Sequence, residues 1–149
     1  MSEETERHDE RAPSEPSLVR LPRRIDALAR LFEFSEAFCH ADGVDPGTRS
    51  RTDFVLEEIF TNFVKYNAAG TGDIEVALRT CDGLVEICVT DFDSERFDLR
   101  EHAEVAVDAP LSERTPGGLG IHLVKKFAKR IDYDYQNRMS RITIYLELG

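Results

Sequence analysis

The stretch TPGGLGIHLVKK, residues 115–126, contains the residue types and spacing that point most directly to chemistry. Glycines fall at positions 117, 118 and 120, just before an apolar and basic run. Because glycine destabilises a helix, a requirement other than helix formation must favour it here. A glycine-rich turn that leads into a helix lets backbone N–H groups approach a phosphate, and the helix dipole favours the phosphate charge. Helix caps and tight packing use similar turns, and the Lys-Ser/Thr of a P-loop does not follow these glycines.

A second group of polar residues is spaced for one side of a helix. Glu58, Asn62, Lys65 and Tyr66 occupy positions i, i+4, i+7 and i+8. A helix therefore aligns them in a mainly polar line that is separate from its apolar core face. Two interpretations are open, because such a line is either a solvated helix face or one wall of a site.

An acidic residue is predicted to point inward at the end of a β-hairpin. The turn signal Asp82-Gly83 separates two alternating runs within residues 73–91, and a two-residue turn fixes the register of the strands. In that register Asp91 lies opposite Ile74 and on the apolar face of the hairpin. A carboxylate on the core side needs a partner, although aspartate also commonly ends strands before loops.

The remaining elements follow from hydrophobic periodicity and turn signals. We predict a short edge strand at residues 17–22, a helix from Ile25 to Cys39, and a helix that begins after an Asp45 N-cap and extends to about Asn67. An amphipathic helix follows the glycines, and two strands finish the chain. Residues 92–116 have no sustained period and form a long loop, of the kind that is usually functional or mobile. Residues 1–16 are predicted to be a disordered acidic tail, and residues 17–149 a single domain.

Composition narrows the class of protein. A chain of 149 residues with 41% hydrophobic residues is long enough for one soluble domain with its own core. A net charge of −10 argues against direct binding of nucleic acid. No apolar run approaches the ~20 residues that span a bilayer, and the N-terminus lacks the apolar segment of a secretory signal, so we expect a cytoplasmic protein. The cysteines lack metal-ligand spacing and are expected to be reduced; they are Cys39, Cys81 and Cys88.

These features occur in an order that resembles the GHKL ATPase superfamily, and most closely the small anti-sigma factor serine kinases of bacterial partner-switching systems. GGLGIHLVKK resembles the second glycine box of that group, and LEEIFTNFVKY resembles its N-box. The resemblance covers residues 17–149. It implies an α/β two-layer sandwich, the Bergerat or GHKL ATPase fold, with three main helices on one face of a largely antiparallel mixed sheet.

The resemblance also implies a role for each matched residue, with ATP and Mg²⁺ as the cofactors. Asn62 would coordinate Mg²⁺, and Glu58 would act as general base or orient the attacking hydroxyl. Lys65 would neutralise phosphate charge, and Asp91 would accept a hydrogen bond from the amino group of adenine. The glycine loop would close on the phosphates, with residues 92–116 as its lid. The residues implied to contact the nucleotide are Asn62, Lys65, Tyr66, Asp91, Gly117, Gly118, Leu119 and Gly120.

One position departs from the family pattern. The segment DFDSERF retains Asp91, but Asp93 stands where the first glycine box has glycine. Glycine there lets the backbone pass close to the adenine and adopt torsions that other residues resist, although aspartate tolerates left-handed torsions better than most. The charge of Asp93 would weaken nucleotide binding unless it is directed away or paired with a cation.

The resemblance implies a kinase that transfers the γ-phosphoryl group of ATP to a serine of a small anti-sigma factor antagonist. It further implies sequestration of a sigma factor or a comparable regulator, and it allows for a homodimer. The alternative is a degenerate domain of the same superfamily that acts as a protein-binding module with weak or no ATP binding, which the change at Asp93 favours. A third option is the detached catalytic domain of a sensor histidine kinase, although we expect no phosphoacceptor helical hairpin in this chain.

Overall fold

The computed structural model describes residues 15–67, 69–96, 98 and 118–149. Most of the predicted acidic tail and most of the predicted long loop lie outside these residues. The predicted strands and helices are present, and the first predicted helix begins with a single 3-10 turn. In chain order the elements are β1 (Ser17–Leu21), the 3-10 turn (Ile25–Ala27), α1 (Leu28–Ala41), α2 (Pro46–Tyr66), β2 (Ile74–Cys81), β3 (Leu84–Asp91), α3 (Gly118–Phe127), β4 (Arg130–Gln136) and β5 (Met139–Glu147).

The strands form one five-stranded sheet in the order β1-β2-β3-β5-β4. Every pairing within the described residues is antiparallel, so the parallel component of a mixed sheet is not found there. The hairpin register is as predicted, with Asp91 opposite Ile74 across β2 and β3. The three cysteines are free, as expected from their spacing.

Helix α2 begins where its sequence signals place it, and it ends at Tyr66, one residue before the predicted end at about Asn67. The carboxylate of Asp45 accepts a hydrogen bond from the backbone N–H of Thr48 at 3.0 Å, and Pro46 occupies the first helical position. This N-cap satisfies one of the free amides of the first turn, and proline there sacrifices no hydrogen bond. The apolar face of the helix is buried against the sheet, as predicted; it consists of Leu56, Ile59, Phe60 and Phe63.

The helices cover one face of the sheet, and the core lies between the two layers. Burial alternates along the central strands, so that one side of β2, β3 and β5 is buried and the other is partly exposed. Helix α3 adds Ile121 and Val124 to this core, and its end is held by an edge-to-face contact between Phe127 and Phe54 of α2 at 5.8 Å. These layers confirm the predicted α/β two-layer sandwich. Among the described residues, no helix combines the length and the apolar character needed to cross a membrane.

Candidate functional site

The polar line on α2 is partly buried rather than a fully solvated face. Asn62 is only 3% exposed, Glu58 is partly buried, and Lys65 and Tyr66 at the end of the helix are exposed. The amide nitrogen of Asn62 donates a hydrogen bond to the backbone carbonyl of Glu58 at 2.6 Å. Because the donor end of this amide is held by the helix, a cation at Asn62 would be bound through Oδ1, a hard ligand of the kind that Mg²⁺ prefers.

The glycine-rich segment and Glu58 meet at the start of α3. A Cβ atom placed on Gly120 would lie 2.0 Å from Cδ and 2.1 Å from Oε2 of Glu58. A larger residue at position 120 would force the Glu58 carboxylate to move, whereas glycine leaves room for it in this position. Gly118 and Leu119 are the first two residues of α3, and Gly117 lies outside the described residues. The fold thus brings the two motifs together at the amino end of a helix, where backbone amides and the helix dipole favour an anion.

The carboxylate of Glu58 is partly buried and only partly satisfied by hydrogen bonds among the described residues. Burial raises its pKa above the ordinary value, and the charge of Glu57 adds to this effect, while Lys65 and Asn62 oppose it. Its Oε2 atom is buried and has no hydrogen-bond partner among the described residues. An orphaned buried oxygen with a raised pKa is unfavourable unless a donor is supplied from outside. The hydroxyl group of a substrate would be such a donor.

The partner of the inward carboxylate is Arg23, which our sequence analysis did not identify. The guanidinium donates two parallel hydrogen bonds, from Nη1 to Oδ2 of Asp91 at 2.7 Å and from Nη2 to Oδ1 at 2.6 Å. Asn67 Nδ2 also donates to Oδ2 at 2.8 Å, and the backbone N–H of Asp93 donates to Oδ1 at 3.0 Å. Burial alone would raise the pKa of Asp91, but the hydrogen bonds from Arg23, Asn67 and Asp93 outweigh it and lower the pKa.

The order of three strands brings Arg23 to Asp91. The strand pairings place Leu21 opposite Ile74, and Ile74 opposite Asp91. Arg23 follows the end of β1 by two residues, and its side chain is long enough to reach across β2 to the end of β3. Finding the pair therefore requires the order of three strands, which the local sequence of each strand does not contain.

The charge of Asp93 is directed into a set of partners of its own. Its Oδ2 accepts hydrogen bonds from Thr71, at 2.7 Å from the backbone N–H and 2.9 Å from the hydroxyl, and its Oδ1 accepts one from Arg138 Nε at 2.9 Å. Asp93 therefore meets the condition that it be paired with a cation. It also needs no left-handed torsion, since the described non-glycine residues with positive φ are Asp82, Asn137 and Arg138.

The loop after α2 closes over the Asp91–Asp93 turn, and Gly70 makes this possible. A Cβ atom at Gly70 would lie 2.6 Å from the backbone oxygen of Asp93 and 2.9 Å from Cζ of Arg23. Asn67 Nδ2 donates a hydrogen bond to the same backbone oxygen of Asp93 at 2.8 Å. The turn that replaces the first glycine box is thus held from several sides.

The hydrogen bonds of the Asp93 carboxylate can be tested by the pH dependence of stability. The hydrogen bonds from the Thr71 amide, Arg138 and the Thr71 hydroxyl lower the pKa of Asp93 to about 2. Because the folded pKa lies below the unfolded value of 3.8, Asp93 stabilises the fold above about pH 4 and loses this contribution as the pH falls through about 2. We expect urea unfolding to show wild type more stable than Asp93→Asn at neutral pH, with the difference shrinking at acid pH. Asp134→Asn, on an exposed edge strand, is the control, and a pH-independent difference at Asp93 would contradict the assignment.

Comparison with known proteins finds similarity in sequence and in fold. Residues 21–146 match the family model described as the histidine kinase-like ATPase domain. No curated protein sequence matches the chain. A similar solved structure is the SiaB-SiaC complex from Pseudomonas aeruginosa, with 18% identity, a TM-score of 0.65, and coverage of 87% of this chain and 88% of that chain. The histidine kinase AdeS of Acinetobacter baumannii matches with 14% identity, a TM-score of 0.48, and coverage of 91% and 69% of the two chains.

Proposed function

Since this chain belongs to the histidine kinase-like ATPase domain family, we propose that it binds ATP with Mg²⁺ and transfers the γ-phosphoryl group to a serine of a small anti-sigma factor antagonist. The observation that carries this proposal is the buried Oε2 of Glu58, which lies beside Gly120 and has no hydrogen-bond partner among the described residues. A cytoplasmic location, sequestration of a sigma factor or similar regulator, and a homodimer belong to the same proposal.

Each residue of the site has a role in this reaction. Asn62 would hold Mg²⁺ through Oδ1, and the glycines 117, 118 and 120 with Leu119 would let backbone amides reach the phosphates. Bound Mg²⁺ supplies positive charge that offsets the charge of the phosphates. Glu58 would accept the proton of the serine hydroxyl while the serine oxygen bonds to the γ-phosphorus. The bond between the γ-phosphorus and the departing ADP breaks in the same step. Lys65 adds positive charge at the end of the same helix, and Tyr66 borders the nucleotide.

A second candidate function is supported by the state of Asp91. In this candidate the domain binds a partner protein and little or no nucleotide, because Arg23 holds the carboxylate that would recognise adenine. The solved complex of SiaB with SiaC contains two proteins, and a likeness to it is in keeping with a protein partner under either candidate. The two candidates differ in whether phosphate is transferred.

The test is phosphoryl transfer from ATP labelled in the γ-phosphate to small antagonist-type proteins of the same organism. The proposal predicts label on one such protein that is stable to acid, as phosphoserine is, and that is lost when Asn62 is replaced by alanine. Acid-labile label would indicate phosphohistidine and favour the histidine kinase alternative. Absence of label on every acceptor, with the acceptor still bound by the protein, would contradict the kinase and support the binding module.

A further inference from the structure

The carboxylate of Asp91 has no acceptor position left for a ligand. A carboxylate offers about four lone-pair sites on its two oxygens. Oδ1 accepts from Arg23 Nη2 and from the backbone N–H of Asp93, and Oδ2 accepts from Arg23 Nη1 and from Asn67 Nδ2. All four sites are therefore filled from within the chain. An adenine amino group could bind Asp91 only by replacing one of these donors.

Arg23 is the donor that a base would have to replace. It fills two of the four sites, and its N–H groups donate to the same oxygens to which the 6-amino group of adenine would donate. The backbone amide of Asp93 and the amide of Asn67 belong to the turn and to the end of α2, so they are part of the frame of the site. Arg23 alone is a long side chain that can leave by rotation about its own bonds, and its other hydrogen bonds are two longer ones, to the backbone oxygens of Asn67 and Thr71 at 3.4 Å each.

The Arg23–Asp91 pair is buried but incompletely satisfied. The side chains are 7% and 0% exposed, and Gly70 packs over the guanidinium carbon. The Nε atom of Arg23 is buried and lacks a hydrogen-bond partner among the described residues. A buried donor without a partner reduces the stability of the paired conformation. Displacement of Arg23 by a ligand therefore costs less free energy than it would for a fully hydrogen-bonded pair.

We propose that Arg23 is an intramolecular competitor for the base of the nucleotide, so that adenine reaches Asp91 only when Arg23 leaves it. The inference rests on the proposed ATP site. With Arg23 in place, nucleotides bind through their phosphates and the site distinguishes adenine from guanine poorly. Once Arg23 has left, Asp91 selects the 6-amino group of adenine, which guanine lacks. Arg23 thus sets base selectivity, and apparent ATP affinity is reduced by the fraction of molecules in which it blocks the site.

The experiment compares wild type, Arg23→Ala and Arg24→Ala by calorimetric titration with ATP, GTP and inorganic tripolyphosphate, each with Mg²⁺. Arg24 is the neighbouring arginine, exposed and paired with Asp26, and serves as the matched control. We expect Arg23→Ala to raise ATP affinity about tenfold or more, which corresponds to the loss of one competing contact of ~1.4 kcal/mol. Tripolyphosphate affinity should not change, because it has no base, and Arg24→Ala should match wild type.

The ratio of ATP to GTP affinity distinguishes competition from a merely structural role. It should lie within about threefold of unity in wild type and rise about tenfold in Arg23→Ala. An unchanged ratio in a folded Arg23→Ala protein would overturn the inference while leaving the ATP site intact. If that variant does not fold, the ATP to GTP affinity ratio of wild type is the test. A ratio above about 100 would show that Asp91 already recognises adenine with Arg23 present, and it would overturn the inference. Failure of all three ligands to bind either protein would overturn the proposed function and the inference with it, whereas ATP binding by Arg23→Ala alone would support both.

Discussion

Replacing Asp91 by asparagine is expected to lower the free energy of unfolding by about 3 kcal/mol at neutral pH. Asparagine keeps the shape of the side chain but removes its charge, which leaves the guanidinium of Arg23 buried without a counter-ion. Breaking a buried pair from one side costs more than the pair contributes, because the remaining charge loses both its partner and water. Urea unfolding followed by circular dichroism measures the difference.

The matched control is Glu75→Gln, which removes the carboxylate from the exposed pair of Arg20 and Glu75 at 3.1 Å. An exposed pair of this kind contributes about 1 kcal/mol or less. The double variant Arg23→Ala, Asp91→Asn should be less destabilised than the sum of its single changes, because it contains no unpaired charge. The advantage of wild type over Asp91→Asn should also shrink in acid, as the pH falls through the lowered pKa of Asp91. Stability of Asp91→Asn equal to that of wild type at neutral pH would show that the pair is not formed.

Replacing Glu58 by glutamine should slow phosphoryl transfer strongly and stabilise the fold at the same time. Loss of a general base lowers transfer by about 10²–10⁴-fold, while the affinity for ATP with Mg²⁺ should stay within about threefold of wild type. The folded protein disfavours the charged form of Glu58, since burial raises its pKa. Because part of the side chain is solvated, Glu58→Gln should raise the free energy of unfolding by about 1 kcal/mol or less, or raise Tm by roughly 2–4 °C.

Glu57→Gln is the control for this change, because it removes the same charge from the exposed neighbouring position. It should leave transfer near the wild-type rate. The stabilising effect of Glu58→Gln should vanish below the unfolded pKa of glutamate, where both states of the wild-type protein are protonated. A variant that is less stable than wild type and transfers phosphate at the wild-type rate would remove Glu58 from the mechanism.

Features that depend on local sequence were predicted correctly. The hairpin register follows from Asp82-Gly83, whose positive φ values of 51° and 75° the two-residue turn requires. The start of α2 follows from Asp45 and Pro46 in the same way, because an N-cap and a first-turn proline act within one turn of helix. The inward direction of Asp91 follows from strand alternation.

Features that depend on the order of strands and the packing of helices were not predictable from the sequence. The pairing of Arg23 with Asp91 joins the ends of two strands that do not pair with each other. The contact of Gly120 with Glu58 requires α3 to pack against α2, which the local sequence pattern of neither helix contains. Thr71 and Arg138, which bind the carboxylate of Asp93, come from two different loops. The sequence of the altered glycine box alone therefore could not show that the charge of Asp93 is paired.

Calorimetric titration of wild type and Asn62→Ala tests whether this site binds ATP together with Mg²⁺. ATP is titrated with and without Mg²⁺, with Thr61→Ala as a control for an adjacent polar side chain on the same helix. We expect binding that depends on Mg²⁺ in wild type and in Thr61→Ala, and that weakens at least about tenfold in Asn62→Ala. Absence of binding at millimolar ATP, both in wild type and in Arg23→Ala, would contradict the proposed ATP site.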